Sequence, residues 1–205
     1  MLIRIYPDNP SEKLLDQAVE VLLQGGIIIY PTDSVYAMGC SILKPRAVEK
    51  LAWLKGVKPE KSRFSFIFCD LTDLSMYTRP ITTQVFKVIK KNTPGPFTFI
   101  LEANNKIPKL LTGNRKTIGI RIPDNSIARE IVRRLGHPMM SSSVHDDDEI
   151  LEYTTDPELI HERYENEVDL VIDGGYGDNH VTTLVDCTDD RIEIVREGKE
   201  ELLFI

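Results

Sequence analysis

A chain of 205 residues with 41% hydrophobic and 28% charged residues has the make-up of an ordinary soluble globular protein. Its net charge of −7 and pI near 5.2 exclude a surface that attracts nucleic acid as a whole, so any phosphate or RNA contact needs a local basic cleft. No apolar run reaches a membrane span and the N-terminus has no signal-peptide core, so no membrane contact is expected, and the isolated Cys40, Cys69 and Cys187 read as reduced thiols of a cytoplasmic protein.

In chain order, residues 2–6 alternate as a short strand. Asn9 caps a helix with Pro10 at its first position; Leu14, Leu15, Ala18, Val19, Leu22 and Leu23 share one face, and Gly25 ends it. The apolar run 27–30 stops at Pro31, which marks a short buried strand. Thr32, Asp33 and Ser34 follow at once. Two hydroxyls and a carboxylate at a rigid strand end either form an Asx-type turn or face a ligand, because sites in open α/β sheets lie at the carboxyl ends of strands. Residues 35–40 continue extended. Pro45 then starts a helix that turns Val48, Leu51, Ala52 and Leu54 inward.

Residues 55–63 change character. Lys55, Lys58, Lys61 and Arg63 crowd a loop that Pro59 keeps from being helical, a concentration of cations in an acidic chain. Aromatic content makes 64–68 a strand. Thr72 caps a short helix, and residues 82–91 form a longer amphipathic one. Pro94-Gly95-Pro96 turns the chain into a strand at 97–101. A further strand at 117–122 carries Arg121 near its end. Residues 124–126 offer caps for a helix with Ile127, Ile131 and Leu135 inward, closed by Gly136. Met139 and Met140 lead into Ser141, Ser142 and Ser143, repeating the first design of a buried strand with small polar groups at its end. An acidic loop follows at 146–149. A helix starts at Thr155 or Asp156 with Pro157, and strands at 168–172, 182–186 and 192–196 close the chain.

The common phosphate loops, G-x-x-x-x-G-K-[ST] and G-x-G-x-x-G, are absent. Gly174-Gly175-Tyr176-Gly177 reads as a turn. His137, His145, His161 and His180 have no zinc spacing, so no protein-borne metal site is expected.

Six ordered segments resemble the YrdC/YciO family. "GGIIIYPTDSVYAMGC" is similar to its PTDT-VYGLG signature, "LKGVKP" to its K-x-R-P loop and "PGPFTFIL" to its PGP-x-T strand. "IGIRIPDN" resembles VRVPD, "MMSSSVH" resembles S-T-S-A-N, and "TTLVDCTDDRIEIVREG" resembles the STVVD…ILRPG ending. The wording of "PDNP" and "KTIGIRIPDN" is nearest the YciO branch. The resemblance implies a single α/β domain over residues 1–205, with a twisted mixed or mostly parallel sheet, flanking helices and a concave binding face. It implies ATP or AMP in that concavity, Mg²⁺ accompanying ATP, and a link to double-stranded RNA or tRNA. The implied activity is that of a threonylcarbamoyl-AMP synthase, a nucleotidyltransferase. L-threonine, bicarbonate and ATP give threonylcarbamoyl-AMP and pyrophosphate, for tRNA threonylcarbamoyladenosine modification.

Carried over position by position, the resemblance places Lys55, Lys58, Ser143 and His145 where chemistry occurs. It places Thr32, Ser34, Arg63, Thr98, Arg121, Ser141, Thr182 and Arg196 against nucleotide or substrate. The family's arginine is either Lys58, with one residue inserted, or Val57 without a gap, and the family's asparagine is His145. Lysine cannot reproduce a bidentate guanidinium. A weak or substrate-altered synthase and an RNA-binding module without efficient catalysis both stay open. A basic concave face of Lys55, Lys58, Lys61, Arg63, Arg115, Lys116 and Arg121 suits either.

Overall fold

The computed structural model describes residues 1–61, 63–112, 116–144 and 154–204. In chain order it contains β1 (Leu2–Arg4), α1 (Glu12–Leu23), β2 (Ile28–Tyr30), β3 (Ala37–Ser41), α2 (Pro45–Leu54), β4 (Ser65–Ile67), α3 (Thr83–Lys91) and β5 (Phe97–Glu102). There follow α4 (Lys109–Thr112), β6 (Thr117–Arg121), α5 (Ser126–Leu135), β7 (Met139–Ser143), α6 (Pro157–Tyr164), β8 (Leu170–Asp173), β9 (Thr183–Asp186) and β10 (Glu193–Arg196).

Side-chain caps set the starts of α3, α5 and α6. Thr82 accepts from Val85 N, Asn125 from Ala128 N and Asp156 from Glu158 N, each satisfying an amide that the first turn leaves unpaired. Gly136 closes α5 at φ 77°, the left-handed conformation that favours glycine. The start of α1 differs from expectation. Asn9 is held in a turn by its N–H to Tyr6 O, and the cap position falls to Ser11.

The described strands form one mixed sheet in the order β1-β8-β2-β3-β7-β4-β6-β5-β9-β10. β3 folds back antiparallel on β2, so the polar residues 32–34 occupy the reversal between them. Ser141, Ser142 and Ser143 do not follow a strand end. They lie inside β7, paired with Gly39, Met38 and Ala37 of β3.

One face of the sheet is covered from β8 across to β9. Met38, Phe66, Phe99, Ile120, Met140 and Val185 pack there against α2, α3 and α6. The other face is covered on one half only. Leu15, Ala18 and Leu22 of α1 and Ile127, Ile131 and Leu135 of α5 pack on Ile28, Tyr30, Ile67, Met139, Leu170 and Ile172. Each fully buried aliphatic side chain there stabilises the fold by about 1.5–3 kcal/mol, which holds both helices to that half. No member of that cluster comes from β5, β6, β9 or β10. Among the described residues, neither α1 nor α5 covers this face of the sheet beyond Ile67.

Gly39 links the covered half to the bare one. A Cβ there would stand 2.7 Å from Met139 Sδ and 2.9 Å from Tyr30 Cε1. Without it, the Tyr30 ring lies across β3 and its hydroxyl meets Ser141 Oγ at 2.5 Å. Burial pushes the Tyr30 phenol up to about 12, so it stays a neutral hydroxyl at physiological pH.

Candidate functional site

The bare half of the sheet forms the floor of a cavity of about 830 Å³. Register explains its depth. Gly39 pairs with Ser141, Ser141 with Ser65, Ser65 with Gly119, Gly119 with Ile100, and Ile100 with Asp186. This single row crosses six strands, and four of its members in succession are glycine or serine. At Ser141, Ser65 and Gly119 such short side chains leave a hollow that larger ones would fill, whereas Tyr30 and Met139 fill the space over Gly39. A Cβ at Gly119 would lie 3.2 Å from Thr98 Cγ2 and 3.3 Å from Ser65 Oγ.

Hydroxyls give the floor its polarity. Thr98 Oγ1 and Thr182 Oγ1 meet at 2.9 Å, and Arg196 Nη2 donates to Thr182 O at 2.9 Å, which ties β10 to the same corner. Ser141 and Ser143 line the wall beside them. Lys55, Lys61 and Arg63, from the segment that follows α2, line the same cavity as Arg196.

Arg121, at the end of β6, is 7% exposed. Its Nη2 donates to Asp33 Oδ1 and reaches Thr32 Oγ1 and Ser34 Oγ, each at 2.9 Å. The other Asp33 oxygen accepts from Asp124 N at 2.8 Å. Thr32 Oγ1 accepts from Ser34 N at 3.0 Å and donates to Val35 O at 2.7 Å. The turn reading of residues 32–34 holds, and one of the three also borders the cavity. Thr32 organises a turn, and Ser34 faces the cavity beside Arg121. The Arg121 Nε is buried and has no hydrogen-bond partner among the described residues.

Of the residues singled out from sequence, Ser34, Lys55, Arg63, Thr98, Arg121, Ser141, Ser143, Thr182 and Arg196 line this cavity. Thr32 does not; it faces a second, shallower cavity of about 510 Å³ on the far side of the turn, with Asp33, Tyr176, Asp178 and Lys199. Lys58 is exposed and off the wall, whereas Val57 lines it. The cause is local. Gly56 turns at φ 64° and Val57 N bonds back to Ala52 O, which brings residue 57 to the cavity and leaves Lys58 outside it. Lys116 is also absent from the wall. His145, Arg115 and the acidic loop at 146–149 lie outside the described residues.

Sequence reasoning passed over Ser65, Gly119 and Asp186, which also line the cavity. Two signals were present. Ser65 is a lone hydroxyl between Phe64 and Phe66, and Gly119 is an isolated glycine in a strand pattern, the mark of close approach. Among the described residues no three His, Cys, Asp or Glu side chains come together to hold a metal, and no helix is long and apolar enough to cross a membrane.

Residues 20–198 match the family described as Telomere recombination (Sua5_yciO_yrdC). The crystal structure of Escherichia coli YciO is similar with a TM-score of 0.89 and 42% identity, covering 98% of this chain and 97% of that one. A threonylcarbamoyl-AMP synthase of Coxiella burnetii is 30% identical over 169 residues, 82% of this chain and 89% of that protein. The crystal structure of P. abyssi Sua5 complexed with L-threonine has a TM-score of 0.87 at 22% identity, covers 97% of this chain and 57% of that one, and shares the fold.

Proposed function

Because this chain belongs to the Sua5/YciO/YrdC family, we propose that it binds ATP on the bare half of its sheet and carries out threonylcarbamoyl-AMP synthase-type chemistry slowly. In that reaction the amine of threonine first holds CO₂ as a carbamate. A carbamate oxygen attacks the α-phosphorus of ATP, the bond to the bridging oxygen breaks, and pyrophosphate leaves with the electron pair. No covalent nucleophile on the protein is needed. The site must place donors on the phosphates and keep water from the carbamate and the mixed anhydride.

The observation that carries this reading is the hollow row of glycine and serine under a cationic rim. Its volume of about 830 Å³ suits a nucleotide with a small acyl group. Lys55, Lys61, Arg63 and Arg196 supply positive charge for a triphosphate, and Thr98, Ser141 and Ser143 supply neutral donors. Mg²⁺ in such sites takes one or two carboxylates together with phosphate oxygens, and Asp186 on the wall suits that role. When bound, Mg²⁺ would neutralise charge on the phosphates. The slowness rests on the ungapped reading of the K-x-R-P loop, in which Val57, a residue of the wall, stands at the family's arginine.

Calorimetry with ATP and Mg²⁺ is expected to give a Kd in the low micromolar to millimolar range, about −8 to −4 kcal/mol. A pyrophosphate assay is expected to show release that needs both threonine and bicarbonate. Release indifferent to either omission would point to another acyl substrate or to simple hydrolysis. No release, together with tRNA binding that weakens steeply with salt, would replace this reading with the RNA-binding one.

The rim can be tested residue by residue. Lys55→Ala is expected to weaken ATP binding by about 1–3 kcal/mol, the range for a hydrogen bond to a charged group. Lys58→Ala, off the wall, should leave the affinity within about 0.5 kcal/mol of wild type, as surface changes usually do. Equal losses in both variants would assign the effect to general charge.

A further inference from the structure

The segment after β10, Glu197 to Phe204, shows no periodicity in sequence, yet it is firmly seated. Gly198 lies hard against residues 181–183. A Cβ there would stand 2.3 Å from the Thr182 carbonyl carbon and 2.4 Å from Thr183 N and Val181 O. Gly198 N donates to Thr183 Oγ1 at 3.0 Å and Lys199 N donates to Val181 O at 2.8 Å. Further on, Leu202 is buried, and Asn92 exchanges two hydrogen bonds of 2.9 Å with the Leu203 backbone.

This strap fixes the backbone of Lys199, and its side chain reaches back to the turn beside the large cavity. Lys199 Nζ donates to Asp33 O at 2.6 Å and pairs with Asp178 Oδ2 at 2.8 Å. Asp178 also accepts from His180 N at 2.9 Å and His180 Nδ1 at 2.7 Å. Burial alone would raise the Asp178 carboxyl. The bonds from Lys199 and His180 prevail and hold it well below the usual carboxylate range. Lys199 thus holds Asp33 by its backbone carbonyl, while Arg121 and Asp124 N hold its two carboxylate oxygens.

We propose that Lys199 is a positioning residue. It holds the turn at residues 32–34 between the strap and the 178–180 loop, and through Asp33 it sets the Arg121 guanidinium at the cavity wall. Lys199 does not line the large cavity, so it acts on a ligand there only through that turn. The same strap holds residues 181–183, and so Thr182 on the cavity floor.

The test combines amide hydrogen exchange at residues 33–36 with ATP affinity, on wild type, Lys199→Met and Lys199→Arg. Only the affinity arm rests on the nucleotide reading. Lys199→Met is expected to speed exchange at 33–36 by about tenfold, leave β8 and α5 unchanged, and weaken ATP binding about tenfold. Lys199→Arg, which can still donate to a carbonyl and a carboxylate, should restore both to within about threefold of wild type. If Lys199→Met does not fold, Asp178→Asn serves instead and should move exchange in the same direction by less. Unchanged exchange at 33–36 in the folded variant, or no rescue by arginine, overturns the proposal. A wild type with no ATP affinity would overturn the nucleotide reading, and the exchange arm would then decide the role of Lys199 alone.

Discussion

Arg121→Met is expected to lower the free energy of unfolding by about 3–5 kcal/mol and to abolish measurable ATP binding. The side chains of Arg121 and Asp33 are 8% and 9% exposed. Removing the guanidinium leaves a buried carboxylate with Asp124 N as its remaining hydrogen-bond donor. It also strips Thr32 and Ser34 of a shared donor. A stranded buried charge is far more costly than a lost surface pair, because the low-dielectric site cannot solvate it. The companion variant Arg121→Met with Asp33→Asn keeps an acceptor for Asp124 N while removing the charge. It should recover a large part of the stability and none of the nucleotide affinity. Urea titration reads the first quantity and calorimetry the second. If the single variant unfolds at the wild-type urea concentration, the network does not stabilise the turn. If the double variant recovers ATP binding, Arg121 is structural only.

Val57→Arg is expected to raise threonine- and bicarbonate-dependent pyrophosphate release on the order of 100-fold, the scale of one well-aimed donor to transition-state charge. Val57 is 40% exposed, so a longer side chain has room to extend along the wall. Lys58→Arg is the control. Lys58 is exposed and does not line the cavity, so the change should leave the rate unchanged. The opposite pattern, with Lys58→Arg faster and Val57→Arg silent, would mean that the chain from Gly56 to Pro59 rearranges when ligand binds. Adding His145→Asn to Val57→Arg is expected to raise the rate further, because the family resemblance puts the asparagine of S-x-N at position 145.

Much of the fold was legible because local rules governed it. The helix over 126–135 follows from Asn125, the 3–4 spacing of its apolar residues and Gly136, and the structure adds little to that reading. The strands at 65–67, 97–102 and 117–121 follow from aromatic and β-branched content in the same way. The start of α1 was less legible, since Asn9 and Pro10 fit the rule for a helix start while a turn at residues 6–9 uses the Asn9 amide first.

The candidate site divides along the same line. Which side chains carry charge and hydroxyls near Pro31, Lys55, Thr98, Arg121 and Ser141 was determined by the sequence itself, since residue types and motif order need no coordinates. Where they meet was decided by tertiary structure alone. The residue pattern pointed to the end of a strand and the family resemblance to a concave face; the cavity lies on the sheet face that α1 and α5 leave bare. That follows from the register that lines up Gly39, Ser141, Ser65 and Gly119, residues spread over more than a hundred positions. That Val57 and not Lys58 lines the cavity depended on one left-handed glycine and one backbone hydrogen bond to Ala52. Lys199 reaches Asp33 only because the strap is seated on residues 181–183. Periodicity reports which face of an element is apolar. It does not report which faces are left uncovered once the elements pack, because that depends on how two helices share a sheet of ten strands.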